Sequence, residues 1–177
     1  MKFLPHAMMC LSAFALSACA TTPANLPTAQ AQLKPTAGNT ATGLLTVVQQ
    51  ADHLSVSLHA QGVPPGLHGF HVHEHGDCSS ADGSSAGGHF NPTKEEHGGP
   101  HAMHHHVGDF GNVTADANGN VDFIIDIPLS QLTLDPAAPN ALAGHSVILH
   151  AVADDLQTQP TGNSGARLAC GVVSLQK

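Results

Sequence analysis

The chain has 177 residues, a length that suits one domain. Hydrophobic residues make up 41% of it, which is enough for a core, but six Phe with no Trp or Tyr make that core mainly aliphatic. Five Lys and Arg against 13 Asp and Glu give a formal charge of −8, and this scarcity of basic residues disfavours nucleic-acid binding.

The first 18 residues have the composition of a secretory signal peptide, with Lys2 ahead of an apolar run that reaches Leu16. The tetrapeptide Leu16-Ser17-Ala18-Cys19 resembles a bacterial lipobox, so we expect cleavage before Cys19 and lipidation of that cysteine. Residues 19–32 would then form a lipidated N-terminus and flexible tether. The alternative is an ordinary signal peptide cut at a nearby small residue. Both interpretations predict export, and the lipobox predicts a membrane-anchored lipoprotein of the bacterial periplasm or cell envelope.

Short β-branched or alternating runs follow along the chain, separated by Gly, Pro, Asn and Asp. They lie at 42–50, 53–61, 69–74, 120–127, 146–151 and 167–175. The turn at 117–120 predicts a hairpin. No long segment has amphipathic helical periodicity, so the pattern predicts an all-β sandwich or barrel. The connections 76–107 and 153–166 exceed hairpin length, and long loops in compact domains are usually functional.

Histidine is abundant, with 15 residues in the chain, and several follow an ordered pattern. Alternate side chains of a strand share a face, so His71 and His73 point the same way while Phe70 and Val72 point into a core. His150 ends a second strand-like run. Further donors lie in a Gly-rich loop: His89, His97, His106 and Asp109. Six imidazoles and one carboxylate suit two adjacent transition-metal ions if one imidazole bridges them.

Five separated motifs carry a family resemblance. They are Gly69-Phe70-His71-Val72-His73-Glu74, Gly88-His89-Phe90-Asn91-Pro92, His97-Gly98-Gly99-Pro100, His106-Val107-Gly108-Asp109 and Gly165-Ala166-Arg167-Leu168-Ala169-Cys170-Gly171. In residue type, order and spacing they resemble copper/zinc superoxide dismutase, over a domain that we place at residues 33–177. The resemblance implies an eight-stranded Greek-key β-barrel with long metal-binding and active-site loops. It also implies an enzyme that converts two superoxide anions and two protons to O2 and H2O2.

The resemblance assigns a role to each donor. The family's copper ligands correspond to His71, His73, His89 and His150, and its zinc ligands to His89, His97, His106 and Asp109, with one ion of each metal per chain. His89 would bridge the metals and return a proton to superoxide, Asp154 would accept hydrogen bonds from His71 and His97, and Arg167 would hold the substrate anion. The choice of His106 over His104 and His105 rests on its place directly before Val107-Gly108-Asp109.

The four cysteines have three different expected roles. Cys10 lies within the signal peptide and Cys19 is the candidate for lipidation, which leaves Cys78 and Cys170. Export to an oxidising compartment favours a disulfide between these two, which loop-closure models value at about 4 to 5 kcal/mol. A role as metal ligands is weak, because neither residue has another Cys at short spacing.

The surplus histidines of the metal loop, His75, His101, His104 and His105, are ambiguous. They form either a solvated, permissive stretch or an auxiliary metal-capture patch. The second interpretation supports a competing function, a non-catalytic lipoprotein that stores or delivers copper and zinc. A copper-only variant is disfavoured by the complete zinc set. The remaining histidines, His53, His59, His68 and His145, are expected to be structural or exposed.

The net charge works against an anionic substrate. Loss of Lys2 with the signal peptide would change the formal charge from −8 to −9, so Arg167, the metals and Lys94 must attract superoxide locally. The segment between His150 and Arg167 lacks Lys and Glu and is shorter than in animal cytosolic members of the family. Cys78 also follows His73 by five residues, as in bacterial members. We therefore do not expect the animal steering loop or dimer arrangement, although the family leaves a homodimer open.

Overall fold

The computed structural model describes residues 26–177. Nine strands follow in chain order: β1 Thr28–Pro35, β2 Thr42–Gln49, β3 His53–Gln61, β4 Gly66–His73, β5 Asp109–Ala115, β6 Val121–Pro128, β7 Ser146–His150, β8 Arg167–Val172 and β9 Ser174–Leu175. A single 3-10 turn at Ser84–Ala86 is the only helical element in this part of the chain. Between residues 26 and 177, no helix has the length and apolar character needed to cross a bilayer.

The strands form a closed antiparallel barrel. Neighbouring strands follow the order β2-β3-β6-β5-β4-β7-β8-β1, and the pairing of β1 with β2 closes the ring. The two-residue β9 pairs with β1 beside this closure. The prediction of an all-β, eight-stranded barrel is therefore confirmed, and the two long connections lie outside its ladders.

The first strand begins inside the segment that the sequence analysis assigns to a tether. Thr28–Gln32, the last five residues of that segment, pair with residues 44–48 of β2. Ala29, Ala31 and Leu33 are almost fully buried. Buried and accessible residues therefore alternate, as in a strand whose inward side chains are mostly small. Ala and Gln have low β-propensity, which is why composition suggests a linker here. The proposed signal peptide, Cys10 and Cys19 lie outside the described residues.

The inward-facing side chains of the barrel form one apolar core. Its largest fully buried members include Phe70, Phe110, Leu45 and Leu54. The ring of Phe70 packs against two other aromatic rings, with centroid distances of 5.8 Å to Phe110 and 6.1 Å to Phe123. Most other members are Leu, Val and Ala, in agreement with the composition.

The adjacent strands β4 and β7 are buried on both faces. The last six residues of β4 and all five residues of β7 are inaccessible to solvent or nearly so. One face packs into the barrel core through Phe70, Val72, Val147 and Leu149. The opposite face carries His71, His73 and His150, and the long loops cover it. The barrel thus provides a rigid base on which polar side chains are buried under loops.

The predicted disulfide is confirmed. Cys78 and Cys170 are bonded across 92 positions of sequence, with 5.8 Å between their Cα atoms. Ala86 and Ile148 pack with Cys170 in a small apolar cluster that is separate from the main core, and Cys78 packs against it. The bond joins the loop after β4 to β8, and it stabilises the fold by restricting the unfolded chain, by about 4 to 5 kcal/mol in the loop-closure model.

Replacing Phe70 should show how much of the barrel's stability comes from its apolar core. Phe70→Ala leaves a cavity among the barrel strands, and we expect the free energy of unfolding to fall by about 3 to 5 kcal/mol. Ile124 is 72% exposed, so Ile124→Ala should change it by less than about 0.5 kcal/mol. Urea denaturation of the metal-free, disulfide-bonded proteins measures both, and equal losses in the two variants would contradict this description of the core.

Candidate metal centre

Strand β4 and the neighbouring backbone place three histidines together. His71 and His73 lie on the loop-covered face of β4, whose register shifts between Gly69 and His71 where it pairs with β5. Such bulges commonly redirect side chains next to functional sites. His89 is aligned with His73 by an antiparallel bridge, and Phe90 N–H donates to the Val72 carbonyl at 2.8 Å. Backbone pairing therefore holds His89 against the strand although it belongs to a loop.

His71, His73, His89 and His150 form the first group of donors, which we name the four-histidine group. One donor atom from each residue lies within 4.8 Å of the others, and all four side chains are buried. The Nε2 atoms of His73 and His150 are 3.3 Å apart. The Nδ1 atoms of both rings face carbonyl oxygens, of Gly87 at 3.0 Å and of Gly165 at 3.3 Å. Both rings therefore turn their Nε2 atoms into the group.

His89, His97, His106 and Asp109 form the second group, which we name the mixed group. Asp109 Oδ1 lies 2.7 Å from His89 Nδ1 and 3.4 Å from His106 Nδ1, and its Oδ2 lies 3.0 Å from His97 Nδ1. All four residues are buried. His89 belongs to both groups, because its Nδ1 faces Asp109 while its Nε2 is left for the four-histidine group.

Asp154 is hydrogen-bonded to one histidine of each group. Its Oδ2 accepts a hydrogen bond from His71 Nε2 at 2.8 Å, and its Oδ1 accepts one from His97 Nε2 at 2.9 Å. Its backbone is fixed by Asn112, whose amide accepts from Asp154 N–H at 2.7 Å and donates to its carbonyl at 2.8 Å. These contacts are the ones expected from the resemblance for Asp154. A single carboxylate thus sets the orientation of one ring in each group.

Asn112 and Gly162 are two residues of this arrangement that the sequence analysis does not single out. Gly162 has φ of +63° and lies against the Asp154–His97 contact, where a Cβ atom would come within 2.6 Å of His97 Nε2. Only glycine fits this conformation and this space without displacing the pair. An isolated Asn in a strand or Gly in a loop gives no such indication, because its role depends on contacts that the fold creates.

Three buried nitrogen atoms test whether metals fit these groups. Within residues 26–177, His71 Nδ1 and His89 Nε2 have no hydrogen-bond partner, and His97 Nδ1 lies 3.0 Å from Asp109 Oδ2 but is not aligned for a hydrogen bond, although burying an unpaired polar atom is costly. Each points into one of the two groups, and the opposite nitrogen of each ring is held by Asp154 or Asp109. Imidazole donors with their second nitrogen held by a carboxylate are typical of metal ligands. The four-histidine group fits copper and the mixed group fits zinc.

The charges of the two groups differ. Burial lowers the pKa of His73 and His150 well below its ordinary value, and burial also lowers the pKa of His89 to about 4 in spite of Asp109. Burial likewise opposes the charged form of His97, but the Asp109 and Asp154 carboxylates outweigh it and raise its pKa to about 9. At neutral pH the metal-free protein therefore keeps His73, His89 and His150 neutral and His97 protonated.

Arg167 lies beside the four-histidine group. It is paired with His150 across β7 and β8, at a second irregularity of register. Its two terminal nitrogens donate to the carbonyls of Gly83 and Gly87, each at 2.6 Å, and so hold the guanidinium in place. Arg167 lines a surface cleft of about 290 Å³ together with Thr36, Ser84 and Asp82. Lys94 does not line this cleft.

The surplus histidines of the loop remain outside both groups. His104 Nδ1 contacts Glu95 Oε2 at 2.7 Å, and His105 Nδ1 donates to the His106 carbonyl at 2.8 Å. In the part of the chain that the structure describes, only the two groups above bring three or more His, Cys, Asp or Glu donors together. The auxiliary metal-capture patch therefore stays a prediction, without a preformed third site among these residues.

The other four histidines have ordinary structural contacts. His53 and His59 lie at the surface, where their Nδ1 atoms contact the neighbouring carboxylates of Asp52 and Asp122. His68 is buried between the carbonyls of His150 and Pro64, at 2.9 and 2.7 Å. His145 donates to the Glu74 carbonyl and packs on the ring of Phe90, with 3.9 Å between ring centroids.

Comparison with known proteins agrees with this geometry. The family model described as copper/zinc superoxide dismutase (SODC) matches residues 41–173. The extracellular superoxide dismutase (Cu-Zn) of Onchocerca volvulus is 39% identical over 130 residues, which are 68% of this chain and 62% of that protein. The chain thus spans about three fifths of this relative's length. All seven donors, Asp154 and Arg167 fall within the range that the family model matches.

Zinc binding should depend on pH through His97. Because the pKa of His97 in the fold is about 9, above its ordinary value of 6.5, the metal-free protein holds a proton there between these two pH values. Zinc must displace that proton, so we expect its apparent affinity to rise by up to about tenfold per pH unit up to pH 9. Calorimetry in buffers of different ionisation enthalpy measures the proton released. Zinc uptake at pH 7.5 without proton release would contradict this prediction.

Gly162→Ala should weaken both metal sites. The added methyl group displaces Asp154 or His97, and the loss of such an orienting contact typically costs about 10 to 100-fold in metal affinity. Gly38 provides a matched control, because it has a similar φ of +80° but nothing lies within 4 Å of its Cβ position. Gly38→Ala should lower the stability by about 1 kcal/mol and leave the affinities unchanged. Competition with chelators measures the metal affinities. Equal affinities in the two variants would contradict the role of Gly162.

Proposed function

The chain belongs to the copper/zinc superoxide dismutase family, and from this we propose that it is a superoxide dismutase, which converts two superoxide anions and two protons to O2 and H2O2. The observation that carries the proposal is the placement of His89, whose two ring nitrogens face two different groups of buried donors. A simple metal-binding protein has no need of a shared imidazole. A reaction that moves electrons and protons together can use one.

In this proposal His71, His73, His89 and His150 hold copper, and His89, His97, His106 and Asp109 hold zinc. Four imidazoles suit copper, whereas three imidazoles and a carboxylate in a closed, buried set suit a structural zinc. When bound, copper supplies the one-electron oxidation and reduction that the reaction requires, while zinc has no redox chemistry. The support in the chain is the set of buried, unpartnered nitrogens that face both groups.

His89 is proposed to carry the proton. Its Nδ1 lies on the Asp109 side, and its Nε2 is the atom that can take up and release a proton on the four-histidine side. Burial lowers the pKa of His89 to about 4 in the metal-free fold, so at neutral pH the ring is an uncharged imidazole that can act as a ligand. His73 and His150 have their Nδ1 atoms against carbonyls and do not share this arrangement.

Arg167 is proposed to hold the superoxide anion. Arg167 is paired with His150 across β7 and β8 and lines a surface cleft, and its guanidinium is fixed by two carbonyls, so it meets a small anion without first having to order its side chain. Guanidinium groups remain charged at every physiological pH. Asp82 lines the same cleft and opposes this attraction, and the formal charge of −8 does so at long range.

Export is proposed from the signal-like residues 1–18 together with the disulfide, which an oxidising compartment favours. The relative from Onchocerca volvulus is named as an extracellular protein. We further propose that Cys19 is lipidated and anchors the protein to a bacterial envelope membrane, with the residues up to Thr28 as the tether. Partition into detergent of the protein and of Cys19→Ala tests the anchor. Sedimentation tests for a homodimer.

Metal storage is not favoured as the main function. Among residues 26–177 the donors form two groups, and the surplus histidines do not extend that capacity to a third group. An orienting carboxylate behind each site and a fixed guanidinium beside one of them are features that storage does not require.

Arg167→Ala should reduce turnover without removing the metals. Arg167 contacts carbonyl oxygens and no donor of either group, so we expect full metal content and a fall in kcat/KM of about tenfold or more. Lys94→Ala is the control, because Lys94 does not line the cleft and its loss should change the rate far less. Direct optical measurement of superoxide decay with the copper- and zinc-loaded proteins provides the rates. Loaded wild-type protein without turnover would contradict the proposed function and favour storage.

A further inference from the structure

Gln159 holds the main chain of His97 through a pair of hydrogen bonds. Gln159 Oε1 accepts from His97 N–H at 2.8 Å, and Gln159 Nε2 donates to the His97 carbonyl at 2.9 Å. The two residues are 62 positions apart in sequence. One primary amide therefore satisfies both backbone polar groups of a single residue, as a neighbouring β-strand does.

His97 depends on this amide because it lies outside the barrel. The segment that carries it, between β4 and β5, has no strand partner at this position, and within residues 26–177 no other backbone group bonds the His97 N–H or carbonyl. His97 is only 4% exposed, so little water can reach these groups instead. Without Gln159, the His97 N–H and carbonyl lose the only hydrogen bonds that they make within residues 26–177.

The loop that carries Gln159 also carries Asp154, so one segment holds His97 at its ring and at its backbone. Asp155 shapes the segment between them. Its carboxylate accepts from the backbone N–H groups of Gln157 and Thr158, at 3.0 and 2.7 Å, and from the Asn163 amide at 3.1 Å. Gln157 and Gln159 are both exposed, but this folded turn brings only the Gln159 amide to the backbone of His97.

We propose that Gln159 is a positioning residue of the zinc site, which sets how slowly bound zinc leaves. The inference rests on the zinc site of the proposed function. With its backbone fixed by Gln159 and its Nε2 fixed by Asp154, the His97 ring keeps Nδ1 3.0 Å from Asp109 Oδ2. Loss of the amide frees the backbone, so the ring can swing away from Asp109 and open the mixed group. The four-histidine group makes no hydrogen bond with Gln159, so a change reaches it only indirectly, through the contact of His97 with Asp154, and is smaller.

The test compares Gln159→Met with Gln157→Met in the full copper- and zinc-loaded chain. Both changes remove a primary amide at nearly constant volume, but the Gln157 side chain makes no hydrogen bond in the described part of the chain. We expect zinc to pass to a chromogenic chelator about 10 to 100-fold faster from Gln159→Met, with copper release accelerated far less. Gln157→Met should release zinc at the wild-type rate.

Gln159→Glu provides a second variant if Gln159→Met does not fold, since it keeps an acceptor for His97 N–H and loses only the donor. Its release rate should lie between those of wild type and Gln159→Met, with Gln157→Glu as the control for the added charge. The visible spectrum of cobalt bound in place of zinc should change in the Gln159 variants alone, which a general loss of loop order at both positions would not produce.

Two results would overturn the proposal, and they are distinct. Wild-type protein that takes up no zinc would remove both the zinc site of the proposed function and this inference. Normal zinc uptake, with release from the Gln159 variants at the wild-type rate or with equal acceleration in the Gln157 controls, would remove the role of Gln159 alone.

Discussion

The hydrogen bonds from His71 and His97 to the two oxygens of Asp154 are the constraint on which the rest of the site depends. Each ring has two nitrogens, and because Asp154 engages Nε2 in both, each must turn Nδ1 inward. The result is one directed donor in each group, with His89 between them. A carboxylate that holds both rings also makes the two groups mechanically dependent, since a shift of Asp154 moves a ligand of each.

The barrel makes this arrangement stable by burying both faces of β4 and β7. In most antiparallel sheets one face packs on the core and the other meets solvent. Here the second face is covered by loops, and the disulfide and the Arg167 hydrogen bonds fasten one of those loops to β8. Imidazoles on that face are thus held in a poorly solvated setting, where burial favours their neutral, metal-binding form. The register irregularities next to His71 and His150 direct those ligands on otherwise regular strands.

Much of this could be predicted from sequence because the relevant signals are local. Two-residue alternation indicates that His71 and His73 share a face, and a short, strongly apolar run ending in His150 indicates a buried strand. The first strand could not be predicted, because its inward residues include only Ala and Leu between Gln side chains. Asn112, Gly162 and Gln159 could not be predicted either. Asn112 and Gln159 bond backbone groups 42 and 62 positions away, and Gly162 matters because it packs against the Asp154–His97 contact, so no pattern of side chains near these residues in sequence records their roles.

The spacing of the donors along the chain also has a consequence for the order of assembly. In the mixed group His89 and Asp109 are 20 positions apart, whereas His73 and His150 of the four-histidine group are 77 apart. Closing the longer loop costs about 1 kcal/mol more chain entropy, and it also requires β7 to have docked beside β4. The zinc-type donors can therefore gather while much of the barrel is still open. The four-histidine group also needs β7 beside β4, so chain entropy favours gathering the donors of the mixed group before those of the four-histidine group.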